Sequence, residues 1–269
     1  MLVTLCSTDI EWENAASNLK KLEALFSLFT FKPQLIILPE MFSTGFTMNP
    51  LAAERMKDSK SLQWMKNMTR KMDCAIVGSV AINDNVSEKA EKLVNRAFFV
   101  YPNGSYKYYD KRHLFRMGEE NRHYLSGDKK VIAEYNGIKF NLNICYDLRF
   151  PLWSRNVRNE YDVLINVANF PASRIKVTDP LVKARAIENQ SYMLFVNRIG
   201  EDMQCKYCAS SLAVDYKGDE IGERVNESKM NEIMPGIEVI NVHLDIEKLQ
   251  QFREKFPVWK DSDNFIIKA

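Results

Sequence analysis

One thiol, one carboxylate and one ammonium stand just past the ends of three predicted strands: Cys145 after residues 140–144, Glu40 after residues 35–38 and Pro39, and Lys111 after residues 106–110. A side chain at the carboxyl end of a buried strand emerges at a sheet edge, beside the free N–H groups of the turn that follows. A thiol there can serve as a nucleophile once a base takes its proton and a cation steadies the charge that develops. Partial desolvation of Glu40 would raise its pKa toward the range where a general base works. Each residue also has a plainer reading: a buried structural cysteine, a rim carboxylate, and a solvated charged turn over residues 110–113. Spacing alone leaves both readings open.

Other candidates carry weaker signals. His113, His123 and His243 are the three histidines, and none has flanking residues that mark it as the base of a Cys–His pair. Cys205-Lys206-Tyr207-Cys208 has the Cys-x-x-Cys spacing but no second ligand pair, so no metal is expected and the two thiols read as bystanders. The basic pairs Arg70-Lys71 and Lys129-Lys130 read as solvated faces. No nucleic-acid partner is expected, because 37 Lys and Arg against 35 Asp and Glu leave a net charge of only +2.

The elements that must hold these residues follow from periodicity. Residues 2–8 alternate as a strand, and Trp12, Ala15, Ala16, Leu19, Leu22, Leu25, Phe26 and Phe29 recur at helical spacing. Residues 35–38 form an unbroken apolar run of the kind buried on both faces. Ser61 is the expected cap of a helix carrying Leu62, Met65, Met68 and Met72, followed by a strand over residues 75–82. Pro102-Asn103-Gly104 predicts a tight turn joining strands 94–101 and 106–110. Strands are expected at residues 140–145 and 163–167 with a helix between them from Pro151, then a helix from Asp179-Pro180 to Asn189. Strands at residues 193–197, 209–214 and 237–244 precede a last helix from Asp245. The pattern is α/β, either one mixed sheet or two sheets packed together between helices.

At 269 residues, 46% apolar and 27% charged, the composition is that of a globular chain with material for a large core. With no linker or repeat, one domain over residues 1–269 is the expectation. No stretch approaches the roughly 18 apolar residues of a membrane span, and the first ten residues lack the pattern of an export signal. Five cysteines, an odd number, suit reduced thiols and a cytoplasmic location.

Three local motifs resemble those of the carbon–nitrogen hydrolase, or nitrilase, superfamily: Leu38-Pro39-Glu40-Met41-Phe42, Tyr109-Asp110-Lys111-Arg112-His113-Leu114-Phe115, and Asn143-Ile144-Cys145-Tyr146-Asp147-Leu148-Arg149-Phe150-Pro151. The likeness extends through Ala184-Arg185-Ala186-Ile187-Glu188-Asn189-Gln190 to Arg253-Glu254-Lys255-Phe256-Pro257-Val258-Trp259. Within the superfamily the wording is similar to the bacterial omega-amidases, which hydrolyse monoamides of the 2-oxoglutaramate type. The resemblance implies a four-layer α-β-β-α sandwich, a Glu40–Lys111–Cys145 triad, no metal or organic cofactor, and a homodimer or larger assembly. It also implies a second glutamate after the lysine, for which Glu120 is favoured over its neighbour Glu119.

So read, Glu40 takes the thiol proton, Cys145 attacks the amide carbon, and Lys111 with the Tyr146 N–H holds the oxyanion. Ammonia leaves, and Glu40 then activates the water that hydrolyses the thioester. The substrate is a small amide, expected to be a 2-oxo dicarboxylate monoamide, with another amidase or carbamoylase activity as the alternative and a catalytically silent scaffold as the rival. Arg174, beyond the strand at residues 163–167, is the candidate for the distal carboxylate, and Arg149 competes with it. Phe46 and Phe170 are candidates for pocket walls, with plain core packing as the alternative.

Overall fold

A computed structural model describes residues 1–83, 93–225 and 228–267. The first half contributes β1 (Leu2–Ser7), α1 (Ala15–Ser27), β2 (Leu35–Ile37), β3 (Glu54–Arg55), α2 (Lys60–Met72), β4 (Ala75–Asn83), β5 (Leu93–Val100), β6 (Tyr106–Asp110), the single turn α3 (Glu120–His123), β7 (Ile132–Tyr135) and β8 (Ile138–Ile144). The second contributes the single turn α4 (Pro151–Ser154), β9 (Val163–Ala168), α5 (Thr178–Asn189), β10 (Tyr192–Asn197), the small hairpin β11 (Gly200–Glu201) and β12 (Lys206–Tyr207), β13 (Leu212–Val214), β14 (Glu220–Ile221), β15 (Glu223–Arg224), α6 (Ser228–Ile233), β16 (Glu238–His243) and α7 (Ile246–Lys255).

Two large sheets result among the described residues, beside the two-stranded β11–β12 hairpin. One runs β15-β16-β1-β2-β4-β5-β6, with β3 against β4, and the other runs β14-β13-β10-β9-β8-β7. In each, a parallel centre (β1, β2 and β4; β8, β9 and β10) is flanked by antiparallel strands. The period of two in the sequence decides what each sheet faces. Val3, Leu5, Leu35, Ile37 and Val77 point inward to meet Leu142, Ile144, Ile165, Val167 and Leu194 of the other sheet. Their neighbours Cys6, Ile36 and Ile76 point outward onto Leu22, Leu25 and Phe26 of α1 and Leu62, Met65 and Met68 of α2. On the far side Leu164, Met193 and Phe195 meet Val182 and Ala186 of α5. The layers are therefore α-β-β-α, as expected, and the unalternating apolar runs are strands covered on both faces.

Several boundaries differ from the sequence reading. Ser59, rather than Ser61, caps α2 by accepting the Leu62 N–H at 3.1 Å, while the Ser61 hydroxyl donates to Glu54 at 2.7 Å. Asp179 lies inside the first turn of α5 and pairs with Lys183 at 2.9 Å rather than capping the helix. The helix expected from Pro151 is one turn, preceded by a 3₁₀ turn over Cys145–Arg149. Trp12 lies before α1, whose cap is Asn14, its side chain accepting the Ser17 N–H at 3.1 Å.

Candidate active site

The three strand ends converge. Glu40 follows β2, Lys111 follows β6, and Cys145 follows β8, all at the same rim of the sandwich, where they line one cavity of about 320 Å³. Lys111 is held through its backbone: its N–H donates to the Asn95 carbonyl at 2.9 Å, and its own carbonyl accepts the Gly127 N–H at 2.9 Å. Gly127 has to be glycine for this approach, since a Cβ there would fall 2.1 Å from the Asp110 carbonyl oxygen.

Glu40, Lys111 and Glu120 are wholly buried. Lys111 Nζ lies 2.8 Å from Glu40 Oε1 and 3.0 Å from Glu120 Oε2. Asn95, on β5, donates its amide to Glu40 Oε1 at 2.8 Å and to Glu120 Oε1 at 3.3 Å. The Asn169 N–H completes Glu40 at Oε2 (2.8 Å), and the Phe115 N–H completes Glu120 at Oε2 (2.6 Å). Buried charges survive when paired and hydrogen-bonded, and each member here is. Glu119 is turned to the surface, where it pairs with Arg122 at 2.6 Å, so Glu120 and not Glu119 is the carboxylate that meets the lysine.

Cys145 opens its 3₁₀ turn with φ +44°, a left-handed conformation that side chains with a Cβ rarely adopt. Burial pushes its thiol well above the ordinary range, and the charge of Glu40 adds to this; Lys111 and the Asn169 N–H pull the other way. Burial alone would lower Lys111, but Glu120 and Glu40 prevail and hold it well above its usual value. The resting arrangement is thus a thiol beside a fixed ammonium and a carboxylate. That combination moves a proton and stabilises an anion, which is the requirement of nucleophilic attack on a carbonyl.

The remaining residues singled out in the sequence reach the same cavity. Tyr146, Phe46, Phe170, Arg149 and Arg174 all line it. The Arg174 guanidinium lies over the rings of Phe115 (4.4 Å) and Phe170 (5.8 Å), and no carboxylate pairs with it among the described residues. Lys111 Nζ sits 5.2 Å from the centre of the Phe46 ring.

Sequence reasoning missed the outer wall. Cys205, read as a bystander, lines the cavity, as do Gln204 and Tyr207 of the β11–β12 hairpin and Trp12. A wholly buried guanidinium gathers these pieces: Arg198 donates to the Ile10 carbonyl (2.9 Å) and to Asp202 (3.3 Å), and it stacks on Tyr207 (4.3 Å). No cluster among the described residues could hold a metal ion.

A thiol, a buried lysine and two carboxylates at one rim of a double-sheet sandwich define a hydrolase of carbon–nitrogen bonds, and residues 2–254 match the family described as carbon–nitrogen hydrolase. The chain belongs to that family. It is 37% identical over 264 residues to omega-amidase YafV of Escherichia coli, covering 98% of this chain and 97% of that protein. It is 29% identical to the 2-oxoglutaramate amidase of Bacillus subtilis, covering 94% of each. Among solved structures, XC1258 of Xanthomonas campestris, a CN-hydrolase superfamily protein with an arsenic adduct in its active site, superposes with a TM-score of 0.88 at 31% identity, covering 100% of this chain and 99% of that one.

Proposed function

We propose that this enzyme hydrolyses the terminal amide of a 2-oxo dicarboxylate monoamide, of the 2-oxoglutaramate or 2-oxosuccinamate type, releasing ammonia. The observation that carries the substrate class is Arg174, an arginine on the wall of the cavity that holds Cys145 and without a carboxylate partner among the described residues. A charge so placed suits a substrate that brings its own carboxylate. The names of the two amidase relatives support the same reading.

In this reading the Cys145 thiol proton passes to Glu40 as sulfur bonds to the amide carbon. The oxyanion is held by the Lys111 ammonium and by the Tyr146 N–H, one of the first N–H groups of its turn and so without a partner inside it. The C–N bond breaks as Glu40 returns the proton to nitrogen, ammonia leaves, and a thioester remains. Water then gives a proton to Glu40 and its oxygen to the acyl carbon, and as the C–S bond breaks Glu40 passes that proton to sulfur, which regenerates the thiol and the carboxylate. Glu120 fixes Lys111, Phe46 and Phe170 form the walls, and no cofactor takes part. Residues 1–269 act as one hydrolase unit. A homodimer or larger assembly in the cytoplasm completes the proposal; a strict monomer at micromolar concentration would remove that part.

Ammonia release across a panel of monoamides, carbamoyl amino acids and nitriles tests the reading. The 2-oxo dicarboxylate monoamides should give the highest kcat/KM, and a carbamoyl compound or a nitrile in first place overturns it.

A further inference from the structure

Behind the cavity, four donors converge on one carboxylate with no exposed surface, that of Asp147. Its Oδ2 accepts the Ile144 N–H at 3.0 Å and the Tyr109 hydroxyl at 2.7 Å. Its Oδ1 accepts the His113 N–H at 3.0 Å and meets His113 Nδ1 at 2.7 Å. Tyr109 in turn accepts the Trp153 indole N–H at 2.9 Å and the Arg112 N–H at 3.1 Å. The donors come from two stretches of chain: Ile144, the last residue of β8, immediately precedes Cys145, while Tyr109, in β6, and His113, just beyond it, flank Lys111 at two residues on either side. Asp147 and His113 do not line the cavity themselves.

We infer that Asp147, with His113, is a brace that locks the Cys145 turn to the Lys111 loop, and that both are positioning residues for the attack. This rests on the amidase reading only in taking Cys145 as the nucleophile. A left-handed cysteine is strained and persists only where its surroundings over-determine it, and the bond from the Ile144 N–H to Asp147 fixes the peptide just before that strained residue. His113 holds the turn at a second point, because its ring stacks on Phe150 with centroids 3.6 Å apart and planes 3° from parallel. Phe150 in turn meets the ring of Tyr146, the residue after Cys145, edge-on at 5.1 Å. An ionised carboxylate has about four acceptor sites and no donor, which matches four donors; an amide in its place would turn an NH₂ group toward two of them.

Three variants, Asp147→Asn, His113→Phe and His113→Asn, test the brace through kcat, KM, melting temperature and the rate at which iodoacetamide alkylates Cys145, read by mass spectrometry. A misplacement of about 1 Å costs roughly a hundredfold in rate. Asp147→Asn should accordingly lower kcat by about that factor with KM nearly unchanged, and slow alkylation. His113→Phe keeps the stacked ring but loses the Nδ1 contact, and should lower both rates. His113→Asn, which loses the stacked ring but keeps an amide nitrogen where Nδ1 stood, should recover part of the loss. The inference is overturned if Asp147→Asn and His113→Phe keep wild-type kcat and alkylation rates, or if His113→Asn is no better than His113→Phe. Should Asp147→Asn not fold, the His113 pair decides. Because alkylation needs no substrate, a protein that releases ammonia from no amide would sink the amidase reading and leave this test intact.

Discussion

Glu40 Oε1 and Lys111 Nζ meet at 2.8 Å although 71 residues separate them in the chain, and neither side chain has any exposed surface. The contact joins β2 to β6, strands at different places in the same sheet. In the proposed mechanism it serves stability and chemistry together, because the ammonium assigned to the reaction anion also neutralises carboxylates that could not be buried alone.

Replacing Lys111 with Met should therefore do two kinds of damage. Ammonia release should vanish, and two buried carboxylates left without their cation should cost about 3–5 kcal/mol of unfolding free energy, the scale for breaking a buried pair from one side. Denaturant titration of the variant checks the second figure. Wild-type stability would mean that the carboxylates find another partner.

Cys145→Ala should abolish turnover, whereas Cys205→Ala should alter KM at most, even though both thiols line the cavity. The difference is that Cys145 shares the inner end of the cavity with the Lys111 ammonium and the Glu40 carboxylate, a cation and a base that can take its proton as it reacts, although burial holds the resting thiol well above the ordinary range. A limiting dose of an alkylating agent should modify Cys145 first, as seen by peptide mass spectrometry. First labelling at Cys205 with loss of activity would transfer the nucleophile role.

Glu40→Gln keeps the shape and the bond from Lys111 but cannot take a proton. Acylation and thioester hydrolysis should each slow by about 10²- to 10⁴-fold, the usual contribution of general acid–base catalysis. Single-turnover kinetics would resolve the two steps. Near-normal rates would move the base to Glu120.

Arg174→Met should raise KM strongly for a charged 2-oxo monoamide, since a charge-assisted bond contributes about 1.5–3 kcal/mol. A short uncharged amide should be turned over almost as before. Equal losses on the two substrates would take Arg174 out of substrate binding and leave Arg149, which lines the same cavity, as the anchor.

Burial, with the charge of Glu40 beside it, raises Glu120 above the ordinary carboxylate range despite the pull of Lys111. Between the unfolded value and the higher folded one, the native state holds a proton that the unfolded chain has lost. The stability linked to this group is full below the unfolded value of about 4.3 and falls as pH rises through the higher folded value. Glu120→Gln carries no such proton, so its melting temperature relative to wild type should climb as pH rises from about 4. A difference independent of pH would show that Glu120 does not titrate differently in the two states.

The parts of the site that the sequence made legible are those announced by buried strands. The apolar run before Glu40 and the one before Cys145 each placed a reactive side chain at a sheet edge, and the hairpin through Asn103-Gly104 placed Lys111 at another. Asn95 gave no such signal: in β5 it is one polar residue in a buried strand, and its value lies in reaching carboxylates 55 and 25 residues away. Asn169 is 129 residues from the glutamate it supports. His113 looked unremarkable because its partner, Asp147, lies 34 residues on. The hairpin that brings Cys205 to the cavity is too short and polar for periodicity to register, and its place is set by Arg198, whose contacts with Ile10 and Tyr207 are tertiary.

That arrangement around Arg198 divides the labour of the cavity. In the proposed mechanism proton transfer is anchored on Lys111, at the inner strand ends, whereas much of the outer wall hangs from a single guanidinium that holds a short hairpin and the loop before α1. Bond breaking and the part of molecular choice that does not fall to Arg174 would thus be written in separate stretches of the chain. Exchanging residues 200–207 for a hairpin of another sequence, with Arg198 retained, would reset what the enzyme admits while leaving the cutting apparatus as it stands.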